Sequence, residues 1–267
     1  MIWTTPRRFK TNNGLAVSKL GVGPVLILLH GVGLKADAWK PLAELLKIDF
    51  NVHAIDLPGH GDSQGLNLDT PRLTDYSDPI VTYIKTLETP VYLAGHSMGA
   101  MIALDIAIRF PDLIKSVVAL NAIYQRSAEA AHAVQARAAS LKDLSQADLN
   151  TDATLKRWFG DSPSGEGLEA AQFCKTWLHE TSITQYQQAY EIFAHHDGAT
   201  QNQLSQLNLP ALFITGSEEP NSTPTMSHKM AELSPLGIAK IIPGAAHMMP
   251  MTHATDVATI LTHHFKG

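Results

Sequence analysis

Short apolar runs separated by amphipathic segments dominate the chain. Residues 25–29 read VLILL, an unbroken apolar stretch typical of a strand that is covered on both faces of a sheet. Comparable runs, each separated from the next by text that reads as helix, predict further strands at residues 50–55, 91–94, 116–120, 211–215 and 239–242. This alternation predicts an α/β fold with a doubly wound, mostly parallel sheet.

Residues 122–209 interrupt the alternation. The segment is rich in Ala, Gln and Leu, contains no convincing strand, and is broken by the loop sequence DSPSG at residues 161–165. Strand character returns afterwards, so the segment lies inside the sheet domain and does not trail behind it. We therefore predict a core domain formed by residues 1–121 and 210–267, with residues 122–209 inserted as a helical cap or lid.

The sequence GHSMG at residues 95–99 lies between a predicted strand and a predicted helix that stops at Pro111. This G-x-S-x-G pattern at a strand-to-helix turn is typical of a nucleophile elbow. Glycine is expected at positions 95 and 99 because side chains there would clash where strand and helix approach closely. The amino end of the helix favours an oxyanion beside Ser97. Ser97 is therefore the candidate nucleophile.

A glycine-rich turn, HGVG at residues 30–33, follows the first buried strand. We expect it to supply one oxyanion amide, and we assign the two donors to the backbone N–H groups of Val32 and Met98. The alternative is an ordinary glycine-rich turn. Neither G-x-x-x-x-G-K-[ST] nor G-x-G-x-x-G occurs, which disfavours nucleotide binding.

Together these motifs resemble those of the α/β-hydrolase superfamily with a helical cap. The resemblance also rests on Trp39, on DLPGHGDS at residues 56–63, on GSEEP at residues 216–220 and on His247. It spans most of the predicted core and does not cover the cap, where members diverge. The turn at residues 56–63 is expected to be structural. Similar haloalkane dehalogenases and epoxide hydrolases carry an aspartate nucleophile, so Ser97 argues against both activities.

The resemblance implies that an acid and then a histidine follow the nucleophile along the chain. His247 comes just after the predicted strand at residues 239–242, and we assign it as the base. Other histidines are expected in helices or on polar surface, among them the pairs His195-His196 and His263-His264. The histidine pairs have no Cys or carboxylate partner at metal-ligand spacing, so we expect no metal site, and the resemblance implies no cofactor.

The sequence GSEEP places two carboxylates after the predicted strand at residues 211–215. We assign Glu219 as the acid of the triad, with Glu218 as the alternative; the non-catalytic interpretation is two solvated loop carboxylates. The superfamily usually has aspartate here. Its other acid position, after the strand at residues 116–120, holds Asn121, which cannot supply the charge that stabilises an imidazolium.

The candidate substrate-binding residues are aromatic and sulfur-containing side chains of the cap and of the loop after His247, namely Trp158, Trp177, Tyr190 and Met248. Tyr190 shares one helical face with Tyr186 and Phe193, a spacing more often used for packing than for binding. The assignment of these side chains to a pocket is therefore a hypothesis.

Composition narrows the class of protein. The chain has 267 residues, a net charge of −5 and no basic cluster beyond Arg7-Arg8, so nucleic acid is an unexpected partner. Its one cysteine, Cys174, excludes an internal disulfide. The start lacks a signal-peptide core, and no run is long enough to span a membrane. We expect a soluble, cytoplasmic protein without a membrane or nucleic-acid partner; the oligomeric state is left open.

The predicted function is that of a serine hydrolase that forms an acyl-enzyme on a small to medium, largely apolar carboxylic ester. Lactones, thioesters and the carbon–carbon bonds of ring-cleavage products are alternatives, because GHSMG does not separate them. A ligand-binding or signalling protein on the same fold is the alternative from another class.

Overall fold

The structure is a computed structural model that describes residues 6–145 and 149–267. Eight strands form one sheet. The strands are β1 (Phe9–Lys10), β2 (Ala16–Leu20), β3 (Val25–Leu29), β4 (Asn51–Asp56), β5 (Val91–His96), β6 (Ile114–Leu120), β7 (Ala211–Gly216) and β8 (Gly237–Ile242). The six predicted strands are all present, with bounds that differ from the predicted ones by at most two residues.

The strand order in the sheet is β1-β2-β4-β3-β5-β6-β7-β8. Strands β3 to β8 pair in parallel, whereas β1 and β2 are antiparallel additions at one edge. The sequence analysis did not find β1, which has two residues, or β2, whose end at Lys19 and Leu20 leaves the buried interior. The doubly wound, mostly parallel sheet is confirmed.

Helices cover both faces of the sheet. They are α1 (Lys40–Leu46), α2 (Leu73–Lys85), α3 (Met98–Arg109), α4 (Ala128–Leu141), α5 (Thr151–Phe159), α6 (Glu166–Glu180), α7 (Ile183–His195), α8 (Gln201–Ser205), α9 (Pro224–Leu233), α10 (Met249–Thr252) and α11 (Ala254–Lys266). Buried side chains of α1 and α11 form an apolar cluster on one face. Those of α2, α3 and α9 form a larger cluster on the other face.

Helices α4 to α8 lie between β6 and β7, in the segment predicted as an insertion. Within residues 122–145 and 149–209 every helix or strand that the structure describes is a helix. Helix α4 packs on α7, α5 packs on α6, and α6 contacts α10. Helix α8 instead contacts α9, so the end of this segment joins the sheet domain. Because α6 reaches α10, the insertion is anchored beside the loop that carries His247.

None of the described helices combines the length and the apolar character needed to cross a lipid bilayer.

Candidate active site

Ser97 occupies the sharp turn between β5 and α3. Its backbone angles, φ 56° and ψ −119°, lie in a region that residues with a side chain rarely adopt. The Ser97 carbonyl accepts hydrogen bonds from the N–H groups of Ala100 and Met101, at 2.9 and 3.3 Å, which starts the helix directly after the turn. The amino end of α3, a helix of 12 residues, therefore lies beside the Ser97 side chain.

The two glycines of this turn are required by close backbone contacts. A Cβ atom on Gly95 would lie 2.0 Å from the carbonyl oxygen of Gly99. One on Gly99 would lie 2.1 Å from the carbonyl oxygen of Leu29, in the neighbouring strand β3. Such contacts cannot be relieved by a side-chain rotation because both obstacles are backbone atoms. The geometry agrees with the reason expected from the sequence, and it locks Ser97 in its strained conformation.

Glu219 and His247 form a buried pair. The Nδ1 atom of His247 and Oε2 of Glu219 are 2.7 Å apart, and the carboxylate is completely buried. Its other oxygen accepts from the backbone N–H groups of Asn221 and Ser222, at 2.8 and 3.4 Å. Since a carboxylate only accepts, Nδ1 of His247 carries the proton of this bond, and Nε2 is left as the atom that can accept one.

Burial by itself would raise the pKa of Glu219. The neighbouring His247 and the hydrogen bonds from Asn221 and Ser222 outweigh that effect and hold the pKa at about 2. Glu219 is therefore a carboxylate at neutral pH. Glu218, the alternative acid, is exposed and interacts with the Ser217 hydroxyl, which donates to its carboxylate at 3.1 Å.

Two residues that the sequence analysis did not place in the site hold the loop of His247. The side-chain N–H₂ of Asn121 donates to the His247 carbonyl oxygen at 2.7 Å and to Oε2 of Glu219 at 3.2 Å. Nε2 of His96 lies 2.8 Å from the same carbonyl oxygen. Burial lowers the pKa of His96 to about 3, with a smaller contribution from His247. The only sequence signal was position: Asn121 follows β6, and His96 adjoins the nucleophile.

The turn after β3 lies directly against Ser97. A Cβ atom on Gly31 would be 3.1 Å from Cβ of Ser97. Val32 is the next residue and lines the same cavity as Ser97. Among the hydrogen bonds of the described residues, neither the Val32 nor the Met98 N–H finds an acceptor. Both amides predicted for the oxyanion are thus free donors close to Ser97.

A cavity of about 110 Å³ lies between the sheet edge and the inserted helices. Ser97, His247, Val32 and two of the predicted binding residues, Trp158 and Tyr190, line it. The rings of Trp158 and His247 are stacked, with centroids 6.0 Å apart and planes 25° apart. The site therefore combines residues from the sheet domain with residues from α5 and α7.

The two other predicted binding residues do not line this cavity. Trp177 packs with Leu34, Ala38 and Cys174 in an apolar cluster between α6 and the sheet domain. Met248 belongs to the same cluster and borders a second cavity, which Trp158 also lines. Both side chains therefore pack between α6 and the sheet domain and do not contact the cavity that contains Ser97.

Three arginines line the cavity, and the sequence analysis missed them all. Arg126 pairs with Asp197 at 3.0 Å and donates to the carbonyl oxygens of Phe193 and His196. Arg137 and Arg157 differ, because within the described residues their guanidinium groups bond only to neutral oxygens: the Tyr190 hydroxyl at 2.9 Å for Arg137, and Ala153 and Thr154 for Arg157. Arg137 and Arg157 lie in helices and Arg126 just before α4, at positions that no local sequence pattern marks.

Arg137 and Arg157 also repel each other. Burial lowers the pKa of Arg157, and the nearby charge of Arg137 lowers it further. Two cationic groups that have no carboxylate partner among the described residues therefore face the cavity that contains Ser97. Such an arrangement favours an anionic ligand, because a carboxylate would relieve the repulsion and accept several hydrogen bonds.

Within the described parts of the chain, no cluster of three or more His, Cys, Asp and Glu side chains has an arrangement that could hold a metal ion.

Comparison with known proteins gives one family and several relatives. The model of the alpha/beta hydrolase family matches residues 26–260. The chain is 39% identical over 233 residues to the (E)-2-((N-methylformamido)methylene)succinate hydrolase of Acinetobacter baylyi, covering 87% of this chain and 86% of that protein. It is 28% identical over 251 residues to a pimeloyl-[acyl-carrier protein] methyl ester esterase of Xanthomonas oryzae, covering 92% and 96%.

Among solved structures, a hydrolase from Pseudomonas aeruginosa superposes with a TM-score of 0.84 over 97% of this chain and 98% of its own length. The sequence identity is 18%, so this similarity concerns the fold alone.

Proposed function

This chain belongs to the alpha/beta hydrolase family, and we propose that it is a serine hydrolase that cleaves the acyl C–N or C–O bond of a small substrate carrying a free carboxylate. The observation that carries the proposal is the Glu219–His247 pair, because His247 and Ser97 line one cavity together with two arginines that pair with no carboxylate of the described residues. The pair supports the reaction type, and the arginines support the substrate class.

In the proposed reaction Ser97 Oγ attacks the acyl carbon while Nε2 of His247 takes the hydroxyl proton. The acyl oxygen becomes negative and accepts hydrogen bonds from the N–H groups of Val32 and Met98. The C–N or C–O bond then breaks, and the leaving nitrogen or oxygen takes the proton from His247. Water attacks the acyl-enzyme by the same route, which releases a carboxylic acid and restores Ser97.

The substrate class follows from Arg137 and Arg157. A largely apolar ester, the substrate expected from the sequence, would leave both guanidinium groups without a counter-charge in a partly buried site, which is costly. A carboxylate on the substrate provides that charge and accepts paired N–H donors. Arg126 contributes less, because Asp197 and two carbonyl oxygens already engage it.

The similarity to the Acinetobacter baylyi protein supports an acylated amine. That protein is named as the hydrolase of a succinate, hence a dicarboxylate, that bears a formamide group. The Xanthomonas oryzae relative, named as a methyl ester esterase, keeps a carboxylic ester as the second candidate substrate. Both bonds are cleaved by the same acyl-enzyme chemistry, and the carboxylate site serves either.

The test compares 2-(acetamidomethylene)succinate with its dimethyl ester, while acetate release is measured. We expect the diacid to release acetate. For acetate release from the diester we expect a kcat/KM at least about 10-fold lower, which corresponds to the loss of one charge-assisted hydrogen bond. A fluorophosphonate should give one adduct on the peptide containing Ser97 and none in Ser97→Ala. Labelling of Ser97→Ala at the wild-type rate contradicts the reaction type; equal kcat/KM for both compounds contradicts the substrate class.

A further inference from the structure

His30, at the end of β3, is completely buried and has a hydrogen-bond partner at each ring nitrogen. Nδ1 lies 2.7 Å from the carbonyl oxygen of Gly31, and Nε2 lies 2.9 Å from the backbone N–H of Leu57. A carbonyl oxygen only accepts and a backbone N–H only donates. The ring must therefore be neutral, with the proton on Nδ1 and the lone pair on Nε2.

The bond to Gly31 controls the peptide that follows. The carbonyl of Gly31 and the N–H of Val32 belong to one planar unit and point in opposite directions when that unit is trans. The Gly31 oxygen is held by His30 and, at 3.3 Å, by the N–H of Leu34. Rotation of the peptide would break both bonds, so the direction of the Val32 N–H is fixed by what binds the Gly31 oxygen.

We infer that His30 is a positioning residue that holds the Gly31–Val32 peptide with its N–H directed at the oxyanion formed during catalysis. The inference rests on the proposed function, because it assigns His30 to the reaction of Ser97. It places His30 in the machinery through the backbone of Val32, without contact between its ring and the substrate.

The turn at residues 56–63, expected from the sequence to be structural, supports the same peptide. Leu57 of this turn supplies the donor to His30 Nε2. Its neighbour Asp56 accepts from the N–H of Ala36, at 2.7 Å, and from that of Asp62, at 2.9 Å. Arg8 pairs with the Asp56 carboxylate at 2.6 Å. The turn therefore forms hydrogen bonds to both ends of the segment from His30 to Ala36. Through the Gly31–Val32 peptide, the DLPGHGDS motif has a role in catalysis.

Both burial and the hydrogen bond from Leu57 oppose protonation of the His30 ring. Burial, followed by the influence of His60, holds the pKa of His30 well below its usual range. Protonation would also set an Nε2–H against the N–H of Leu57. The ring thus keeps one tautomer across the pH range in which His247 must act as a base.

Two substitutions test the roles of the two ring nitrogens of His30 separately. The amide of glutamine reaches the position of Nε2, so His30→Gln can accept from Leu57 but cannot donate to Gly31. The amide of asparagine reaches the position of Nδ1, so His30→Asn can donate to Gly31 and gives up the bond to Leu57. Both variants lose the imidazole ring, which makes each the control for the other.

We expect His30→Gln to lower kcat about 10- to 100-fold, somewhat less than the removal of an oxyanion donor, with KM within about twofold. The affinity for an aldehyde that forms a tetrahedral adduct should fall by the same factor. His30→Asn should keep kcat within about threefold. All rates are expressed per site titrated to completion with a fluorophosphonate, so that misfolded protein is not counted.

Equal losses in both variants, or a wild-type kcat in His30→Gln, would overturn the inference. If His30→Gln does not fold, nitrogen NMR of the wild-type ring decides: we expect the Nδ1–H tautomer, without titration between about pH 5 and 8. An Nε2–H tautomer or a titrating ring would overturn it. Failure of the proposed function is distinguishable, because Ser97 of the wild-type protein would then not be acylated at all.

Discussion

Hydrogen bonds stabilise the negative charge of the buried Glu219 carboxylate. His247 and the amides of Asn221 and Ser222 all bond to it, and they keep its pKa at about 2 despite burial. A carboxylate in this state can orient the imidazole and stabilise the imidazolium that forms when Ser97 gives up its proton. Asn121 also donates to Oε2 of Glu219.

We expect Glu219→Gln to lower kcat by a factor on the order of 10⁴, the cost of the equivalent change in a serine protease. Glutamine keeps the shape and removes the charge, and its amide can present N–H where His247 needs an acceptor. Ester or amide turnover measures the effect. The control is Glu218→Gln, which should retain near-full turnover because Glu218 is exposed and bonds to Ser217. A crippled Glu218→Gln variant would refute the assignment.

The two glycines at the junction between β5 and α3 determine the position of Ser97. Strands β3 and β5 are neighbours in the sheet, and α3 starts so close to β3 that Gly99 meets the carbonyl of Leu29. The strained angles of Ser97, worth about 1–3 kcal/mol, persist because this packing leaves the turn no alternative. The nucleophile is thus positioned by the contact between whole elements.

Gly99→Ala tests this contact. We expect the free energy of unfolding to fall by about 1–3 kcal/mol or more, because the new Cβ atom displaces either α3 or β3. Activity per folded molecule should fall as well, since Ser97 moves with the helix. The matched control is Gly167→Ala in α6, where the closest atoms to a new Cβ are 3.8 and 3.9 Å away. That variant should be unchanged or up to about 1 kcal/mol more stable in denaturant unfolding.

The cavity joins two parts of the chain with separate tasks. The sheet domain supplies Ser97, His247 and Glu219, while α4 and α5 of the insertion supply Arg137 and Arg157. We propose on this basis that the insertion acts as a cap that selects the substrate. In this proposal the contact of α6 with the sheet domain holds the arginines near Ser97. The substrate-binding and reacting groups therefore come together only in the folded molecule.

Arg157→Gln and Arg137→Gln should each raise the KM for a carboxylate-bearing substrate about 10- to 100-fold, the value of one charge-assisted hydrogen bond. The KM for a neutral ester should stay near the wild-type value, because no charge is lost on that substrate. Arg126→Gln is the contrasting variant: it should lower thermal stability through loss of its bonds to Asp197 and the end of α7, with the carboxylate preference retained. An equal rise in KM for both substrates would show that Arg137 and Arg157 have a structural role and do not bind the carboxylate.

Features that depend on neighbours along the chain were readable from the sequence. The buried strands follow from continuous apolar runs, and the elbow follows from glycines at residues 95 and 99, which only a close strand–helix approach requires. The sequence also placed Glu219 and His247 after their strands, at the edge where Ser97 lies. The three side chains lie near one another in the structure because the carboxyl ends of parallel strands meet at one edge of a sheet, whatever the loops between them do; their catalytic roles remain predictions.

Other features were decided only by packing between distant segments. Arg137 and Arg157 lie near each other because α4 and α5 both line the cavity, whereas Trp177 of α6 packs in a separate apolar cluster. His30, Asn121 and His96 each have a hydrogen-bond partner 27 to 151 positions away in the chain, and no sequence spacing marks these pairs. Local pattern determines which elements form; the angles at which helices pack determine which side chains reach the substrate.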